Sequence, residues 1–193
     1  MGNGTIYLQN IGKVNPIVAN RLKKDLSWYF EKFRLKVVIL PEIMPLNEDF
    51  FHEAAQKYHI DLIHEDLIKT NSEQGNFPVL GILDFDVYRT GRHCVFGVAD
   101  NPIKFSLSQP GAAVISITRL RETFYNRNED AAIEEKRIFK EALHEIGHAL
   151  GLDHCENECV MQFSQRIWYV DQKPAKYCDV CCQKLKNLIE NWF

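Results

Sequence analysis

The sequence lacks the features that mark several large classes of protein. Its 193 residues carry 23 lysines and arginines against 26 aspartates and glutamates. The resulting net charge of −3 provides no basic excess to attract a nucleic acid or an anionic membrane. No apolar run approaches the roughly 18 residues of a membrane-spanning helix, and no internal repeat or low-complexity tract is visible. We therefore expect a globular chain that binds neither nucleic acid nor membrane.

The first residues, Met-Gly-Asn-Gly-Thr-Ile, show no basic cluster, apolar stretch or small-residue cleavage site of a secretory signal. We therefore expect a cytoplasmic chain, in which thiols stay reduced. Cysteine is the one unusual component, with six residues, five of them between positions 155 and 182 and Cys94 elsewhere. In a reducing compartment such a cluster favours metal binding over disulfides, although two disulfides are the alternative.

Hydrophobic patterning indicates an α/β fold with a mostly parallel, twisted sheet. Short apolar runs predict strands at 5–11, 35–40, 79–85, 94–99 and 112–118. Helical periodicity predicts helices at 16–33, 130–150 and 180–192, and one or two more within 48–69. The initial order of strand, helix and strand predicts a parallel pair. The pattern of residues 155–177 predicts irregular backbone structure, with no helix or strand.

No change in composition marks a boundary between domains. We therefore predict a single domain over residues 1–193. Within it, residues 1–151 form an N-terminal subdomain that includes the long helix, and residues 152–193 form a C-terminal subdomain.

The predicted long helix ends in the segment HEIGHALGLDH, which spans residues 144–154. His144 and His148 lie four residues apart and therefore share one helical face, so both imidazoles can reach one metal ion. Gly151 stands where a helix needs a left-handed residue to end, and His154 follows as a third nitrogen ligand. Three histidines with an open fourth position are typical of a catalytic zinc site.

Glu145 lies beside the two helical histidines and can reach a water at the metal without being a ligand. Zinc lowers the pKa of bound water, and Glu145 would act as the general base that takes its proton. Met161 follows His154 by seven residues, and a histidine motif of this length followed by a methionine is typical of the metzincins. We predict that Met161 forms an apolar floor beneath the imidazoles, a role that overlaps with that of an ordinary core methionine.

Four cysteines have a spacing close to that of a closed zinc site. Cys155 and Cys159 precede Cys178 and Cys181 by about twenty residues, and four thiolates leave no position for a substrate. The spacing predicts a second, structural zinc that holds the segment carrying His154. Cys182 is an alternative fourth ligand, although the two-residue gap before Cys181 favours Cys181.

These residues resemble the archaemetzincins, a branch of the metzincin zinc peptidases. The resemblance is carried by HEIGHALGLDHCENECVM followed by CDVC, within residues 141–182, and more weakly by CVFGVAD and AVISITRL upstream. It implies a metzincin-like zincin fold, in which a five-stranded twisted sheet has one antiparallel edge strand above the cleft. Residues 94–99 are the candidate for that edge, with an ordinary core strand as the alternative.

The expected function is hydrolysis of peptide bonds by a zinc metallopeptidase with two Zn²⁺ ions, one catalytic and one structural. Its partner would be a peptide or protein substrate. A peptide-binding module that keeps zinc for structure and a zinc amidohydrolase acting on a non-peptide amide are the alternatives. An intact Glu145 favours an enzyme, because a pure scaffold would not need that carboxylate.

Overall fold

The structure is a computed structural model that describes residues 4–91 and 95–193. In chain order, its strands are β1 (Thr5–Ile11), β2 (Lys36–Ile39), β3 (Phe51–His52), β4 (Lys57–His59), β5 (Val79–Leu83), β6 (Val87–Tyr88), β7 (Gly97–Ala99) and β8 (Ala112–Ser116). Its α-helices are α1 (Pro16–Phe30), α2 (Ile60–Ser72), α3 (Ala131–Ala149), α4 (Ile167–Gln172) and α5 (Asp179–Trp192).

The principal sheet has five strands in the order β2-β1-β5-β8-β7. The first four strands are mutually parallel, whereas β7 pairs antiparallel with β8. This arrangement confirms the predicted parallel pair at the start of the chain and the antiparallel strand at the edge. Every residue of the central strands β5 and β8 is buried, as expected for parallel strands covered on both faces.

Two apolar layers cover the two faces of this sheet. On β5, Leu80 and Ile82 point into the layer that contains buried residues of α1, α3 and α5. Val79 and Leu83 point into the opposite layer, against α2. The alternation follows from the two-residue period of a strand. The layer under α3 also includes residues of the C-terminal segment such as Met161, so this segment packs on the same core.

Helix α1 begins where its sequence predicts. The side chain of Asn15 accepts a hydrogen bond of 2.9 Å from the backbone N–H of Ile17, and Pro16 occupies the first helical position. The helix ends at Phe30 and continues as a 3₁₀ turn over Glu31–Phe33. Arg34 then adopts a left-handed φ of 57°, which stops the helix before β2.

Of the one or two helices predicted within residues 48–69, the structure confirms one, α2, whereas the first half of this range holds strands instead. Strands β3 and β4 form an antiparallel pair there, and β6 joins β4 in a second, three-stranded sheet. Gln56 has a φ of 53°, a left-handed conformation that turns the chain between the two strands and is incompatible with a helix. The ring centroids of Phe51 and Tyr58, paired across these strands, lie 5.0 Å apart.

Two further expectations are refined by the structure. Residues 155–177 are not wholly irregular, because they contain α4. The predicted edge strand at 94–99 is observed as β7 from Gly97 to Ala99, and Cys94 lies outside the described residues. In the described part of the chain, no helix combines the length and apolar character needed to cross a membrane.

Candidate metal centre and active-site cleft

Helix α3 ends in a chain reversal that presents His154. Gly151 adopts a φ of 106°, which side chains strongly disfavour. The N–H of Leu152 donates to the carbonyl of Gly147, and the N–H of Gly151 donates to the carbonyl of His148, both at 2.8 Å. These two bonds form a Schellman motif, the arrangement by which a glycine commonly ends a helix. The predicted role of Gly151 is therefore confirmed.

The three predicted histidines converge on one point. The ring nitrogens that His144, His148 and His154 offer to a common centre lie within 4.8 Å of one another. The Nε2 atoms of His144 and His148 are only 3.2 Å apart. Two imidazole nitrogens at this distance, with a third close by, form a donor set that fits a single zinc ion with one position left open.

Backbone carbonyls orient two of these rings. The Nδ1 atom of His144 lies 2.9 Å from the carbonyl oxygen of Val160, and that of His148 lies 2.7 Å from the carbonyl oxygen of Leu152. Each contact turns Nε2 toward the centre, as is usual for metal-binding histidines. Burial lowers the pKa of His148 to about 4 and that of His144 well below its ordinary value, which favours the neutral, metal-binding form.

Glu145 lies buried beside the three histidines and against the edge strand. Its side chain contacts Gly97 of β7. Burial, and to a smaller extent the nearby Glu141 carboxylate, raise the pKa of Glu145, the Lys173 ammonium lowers it, and the resulting pKa is about 8. The structure thus places the predicted general base at the point where α3 meets the edge of the sheet.

An open cleft of about 860 Å³ runs past the histidines. Its walls are α3, the edge strand β7, the loop that carries Phe105, and the segment from Phe163 to Arg166. The ring of Phe163 packs against His154, with a centroid distance of 5.0 Å. A smaller cavity of about 240 Å³ between α1 and the start of α3 is lined by neither histidine nor cysteine among the described residues. Of these two cavities, only the large cleft is lined by the three converging histidines.

The backbone of β7 is available along the outer side of this cleft. The carbonyl of Phe96 and the N–H of Asp100 both form hydrogen bonds with β8. Because hydrogen bonding alternates along an antiparallel strand, the backbone groups of Gly97 and Ala99 point away from β8. Strand β7 is the last in the sheet order, so these groups line its open edge.

The four predicted cysteines also come together. The sulfur atoms of Cys155, Cys159, Cys178 and Cys181 lie within 4.8 Å of one another. The five described cysteines are free thiols, and the Cys155 and Cys178 sulfurs are 3.8 Å apart, far beyond disulfide length. Cys182 lies outside this cluster and directs its thiol to the carbonyl of Tyr177, 3.7 Å away. The geometry therefore favours Cys181 over Cys182.

Hydrogen bonds prepare one of these thiols for metal binding. Burial acts to raise the pKa of Cys178, but the backbone N–H of Cys181 and the side chain of Asn157 donate to its sulfur and bring the pKa to about 7. Burial raises the pKa of Cys159 and Cys181 instead. Four thiols in these surroundings need a cation before all of them can ionise.

Charged side chains of α3 hold α4 beside the cleft through hydrogen bonds and an ion pair. Arg137 donates two hydrogen bonds to the Asp171 carboxylate, at 2.7 and 2.8 Å. Lys140 donates to the carbonyls of Val170 and Asp171 at the end of α4. Glu141 forms a buried ion pair of 2.7 Å with Lys173, the residue that follows α4. These contacts hold α4 against α3. The segment from Phe163 to Arg166, which forms one wall of the cleft, leads directly into α4.

Several residues that shape the site escaped the sequence analysis. Glu141 and Lys173 belong to no motif, and Gly97 was noted only as part of the stretch CVFGVAD. Gly97 and Lys173 approach Glu145 from distant parts of the chain, whereas Glu141 lies one helical turn before it on α3. Gly147 stood inside the histidine motif as an unspecified position. The only signal in the sequence for these residues was a glycine inside a predicted strand, which often marks a close approach of another group.

Met161 packs against the histidine helix at Gly147. It is completely buried, and a Cβ atom placed on Gly147 would lie 2.5 Å from its sulfur and 3.1 Å from the ring of Tyr177. Gly147 therefore lets Met161 approach the backbone of α3 next to His148.

Replacing Gly147 with alanine is expected to destabilise the zinc-loaded chain by about 1–3 kcal/mol, because the methyl group overpacks the space that Met161 fills. Thermal unfolding would show this as a lower Tm. Helix propensity alone predicts the opposite, a gain of about 1 kcal/mol. A Tm above that of the parent would therefore contradict the packing described here.

The chain is similar to known proteins along most of its length. The sequence model of peptidase family M54 matches residues 29–187. An archaemetzincin of Pyrococcus abyssi is 31% identical over 98% of both chains, and one of Methanocaldococcus jannaschii is 36% identical over 94% of this chain and 93% of its own. These relatives are matched over nearly their full length.

Solved structures share the fold. The crystal structure of archaemetzincin from Archaeoglobus fulgidus, complexed with malonate, superposes with a TM-score of 0.73 at 31% identity, covering 93% of this chain and 99% of that one. That from Methanopyrus kandleri gives 0.76 at 26% identity, covering 97% and 96%. The fold and the histidine helix thus define a zinc metallopeptidase of the metzincin class. The chain belongs to peptidase family M54, the archaemetzincins.

Proposed function

We propose that the chain hydrolyses peptide bonds at one zinc ion held by His144, His148 and His154, with Glu145 as general base. The observation that carries this proposal is the convergence of three imidazoles beside a buried carboxylate in an open cleft. When bound, zinc acts as a Lewis acid on the substrate carbonyl and lowers the pKa of water. The Glu145 carboxylate takes a proton from the attacking water and delivers it to the leaving amine.

Strand β7 binds the substrate in this proposal. An extended peptide adds to its open edge through the backbone groups of Gly97 and Ala99, as peptides do at exposed sheet edges. Affinity then comes largely from main-chain hydrogen bonds. The substrate passes directly over Glu145, whose side chain lies against Gly97.

A second zinc ion is proposed at Cys155, Cys159, Cys178 and Cys181. Four thiolates close a tetrahedron, which makes this site structural. Its support is the convergence of the four sulfurs and the sequence adjacency of Cys155 to His154. The site would therefore hold the segment that delivers the third histidine. Free thiols of this kind are maintained in reducing compartments, and this favours the cytoplasm as the location of the protein.

The catalytic proposal is tested with a mixture of quenched fluorogenic peptides and the zinc-loaded chain, with and without a hydroxamate chelator. Chelator-sensitive cleavage supports a peptidase. Tight hydroxamate binding without cleavage of any peptide favours a peptide-binding module, and cleavage confined to non-peptide amides favours an amidohydrolase. Either of the last two results would contradict the proposal.

The second zinc is tested by metal analysis together with thiol titration. We expect about two zinc ions per chain, and the four clustered cysteines should react with a thiol reagent only after the metal is removed. One zinc per chain, with these four cysteines unreactive until a reductant is added, would show disulfides instead. The variant Cys182→Ser serves as the control and should keep both zinc ions, because Cys182 lies outside the cluster.

A further inference from the structure

Strand β7 has a glycine, and therefore no side chain, at a position where Glu145 contacts it. A Cβ atom placed on Gly97 would lie 2.7 Å from both Cγ and Oε1 of Glu145, and 2.8 Å from Cδ. Real Cβ atoms essentially never approach other heavy atoms this closely. Any residue with a side chain at this position would therefore displace Glu145 or move the strand.

The backbone conformation does not explain this glycine. Gly97 lies in a regular strand and is absent from the glycines with positive φ. Glycine inside a strand is unfavourable, because it has no side chain to pack and loses more entropy than alanine. Ala99 occupies the same face two residues further on and carries a methyl group there. The unfavourable free energy of a glycine inside this strand is therefore explained by the space that the neighbouring Glu145 side chain occupies.

Within the described part of the chain, the Glu145 side chain is held mainly by packing. In the described ranges 4–91 and 95–193, no hydrogen bond or ion pair joins it to another side chain or to the backbone. Glu145 is nevertheless only 6% exposed. Its orientation is therefore set by the direction of α3 and by the surface of β7 that it contacts.

We infer that Gly97 is a positioning residue for the proposed reaction. Because Gly97 has no side chain, β7 leaves a space beside it, here called the seat, in which the side chain of the general base Glu145 lies. The inference rests on the proposed role of Glu145. A methyl group at position 97 moves the carboxylate away from the attacking water while leaving the three histidines, on α3 and beyond Gly151, in place. Displacements of about 1 Å near the reacting atoms can cost on the order of 10²-fold in rate.

The contact itself is tested by a double-mutant cycle in stability, which does not require activity. Gly97→Ala is expected to lower the Tm of the zinc-loaded chain by about 4 °C or more, which is typical of overpacking in a domain of this size. In the Glu145→Ala background the same change should shift the Tm by less than about 1 °C or raise it, because the clash is gone. Equal shifts in the two backgrounds would overturn the inference.

A matched control is Ala99→Gly, on the same strand and the same face. Its Tm shift should be the same in the parent and in the Glu145→Ala background, because the close approach of Glu145 is to position 97. Crystal structures of Gly97→Ala and the parent give a direct measurement. The inference predicts a displaced Glu145 carboxylate with the three imidazoles in place, and an unmoved carboxylate would contradict it.

Steady-state kinetics then distinguish a positioning role of Gly97 from a general loss of structure in the variant. Gly97→Ala should keep its zinc and its KM but lose kcat by about 10²-fold. In the Glu145→Asp background, the added methyl should change kcat by less than about threefold, because the shorter side chain leaves room for it. If the kcat losses of Gly97→Ala and Glu145→Asp multiply in the double variant, Gly97 does not act through Glu145 and the inference is contradicted. Full activity of Glu145→Gln would refute the proposed general base, and the stability cycle would still report on the seat.

Discussion

Replacing Glu145 with glutamine is expected to lower kcat/KM for peptide cleavage by about 10²–10⁴-fold, the usual contribution of a general base. The amide keeps the size and most of the shape of the carboxylate, so the seat against Gly97 stays filled. It cannot accept the proton of the attacking water. Steady-state kinetics on a fluorogenic peptide that the parent cleaves would measure the loss.

Zinc content decides how this loss is interpreted. Glu145 is not one of the converging ligands, so Glu145→Gln should bind as much zinc as the parent. The variant Glu129→Gln makes the same chemical change at an exposed residue away from the histidines, and its rate should stay within about twofold of the parent. Parental activity of Glu145→Gln would show that another group takes the proton.

Replacing Lys173 with methionine is expected to cost about 3–5 kcal/mol of stability, because it leaves the Glu141 carboxylate buried without its counter-charge. The two side chains are 1% and 3% exposed and lie 2.7 Å apart. Among the described residues, neither Lys173 Nζ nor Glu141 Oε1 has a hydrogen-bond partner beyond this ion pair. Urea unfolding of the zinc-loaded chain would measure the change.

An exposed pair provides the matched control. Lys104 and Asp153 lie 2.8 Å apart, nearly the same distance, but their side chains are 62% and 60% exposed. Lys104→Met should therefore cost no more than about 1 kcal/mol. The double variant Lys173→Met/Glu141→Met should recover most of the lost stability, because both buried charges are removed together. Equal costs for the two single lysine variants would show that burial contributes nothing to this pair.

The parts of the molecule that were predicted from the sequence depend on neighbours in the chain. Asn15 and Pro16 start a helix through contacts within the first turn. His144 and His148 share a face because of the helical repeat, and Gly151 ends the helix through a conformation that glycine adopts readily. Each of these signals needs only a few consecutive residues, so a single sequence suffices to read it.

The parts that were missed depend on residues brought together only by folding. The hairpin around Gln56 was hidden because its apolar and charged residues also suit a helix, and the left-handed turn carries no glycine. The pairing of Glu141 with Lys173 and the contact of Gly97 with Glu145 join segments that are distant in sequence. No spacing rule connects such residues, because their proximity is a property of the sheet and of the way α3 crosses it.

The two halves of the catalytic centre therefore differ in how much of the fold they require. All three histidines fall within residues 144–154, so a chain that has lost its sheet still carries the metal-binding segment in one short stretch. The seat of Glu145 exists only when β7 is paired with β8 and packed on α3. Retention of zinc by a heated or truncated chain is consequently no evidence of an intact enzyme. Hydrolytic competence should disappear first, at the earliest separation of the edge strand from the helix.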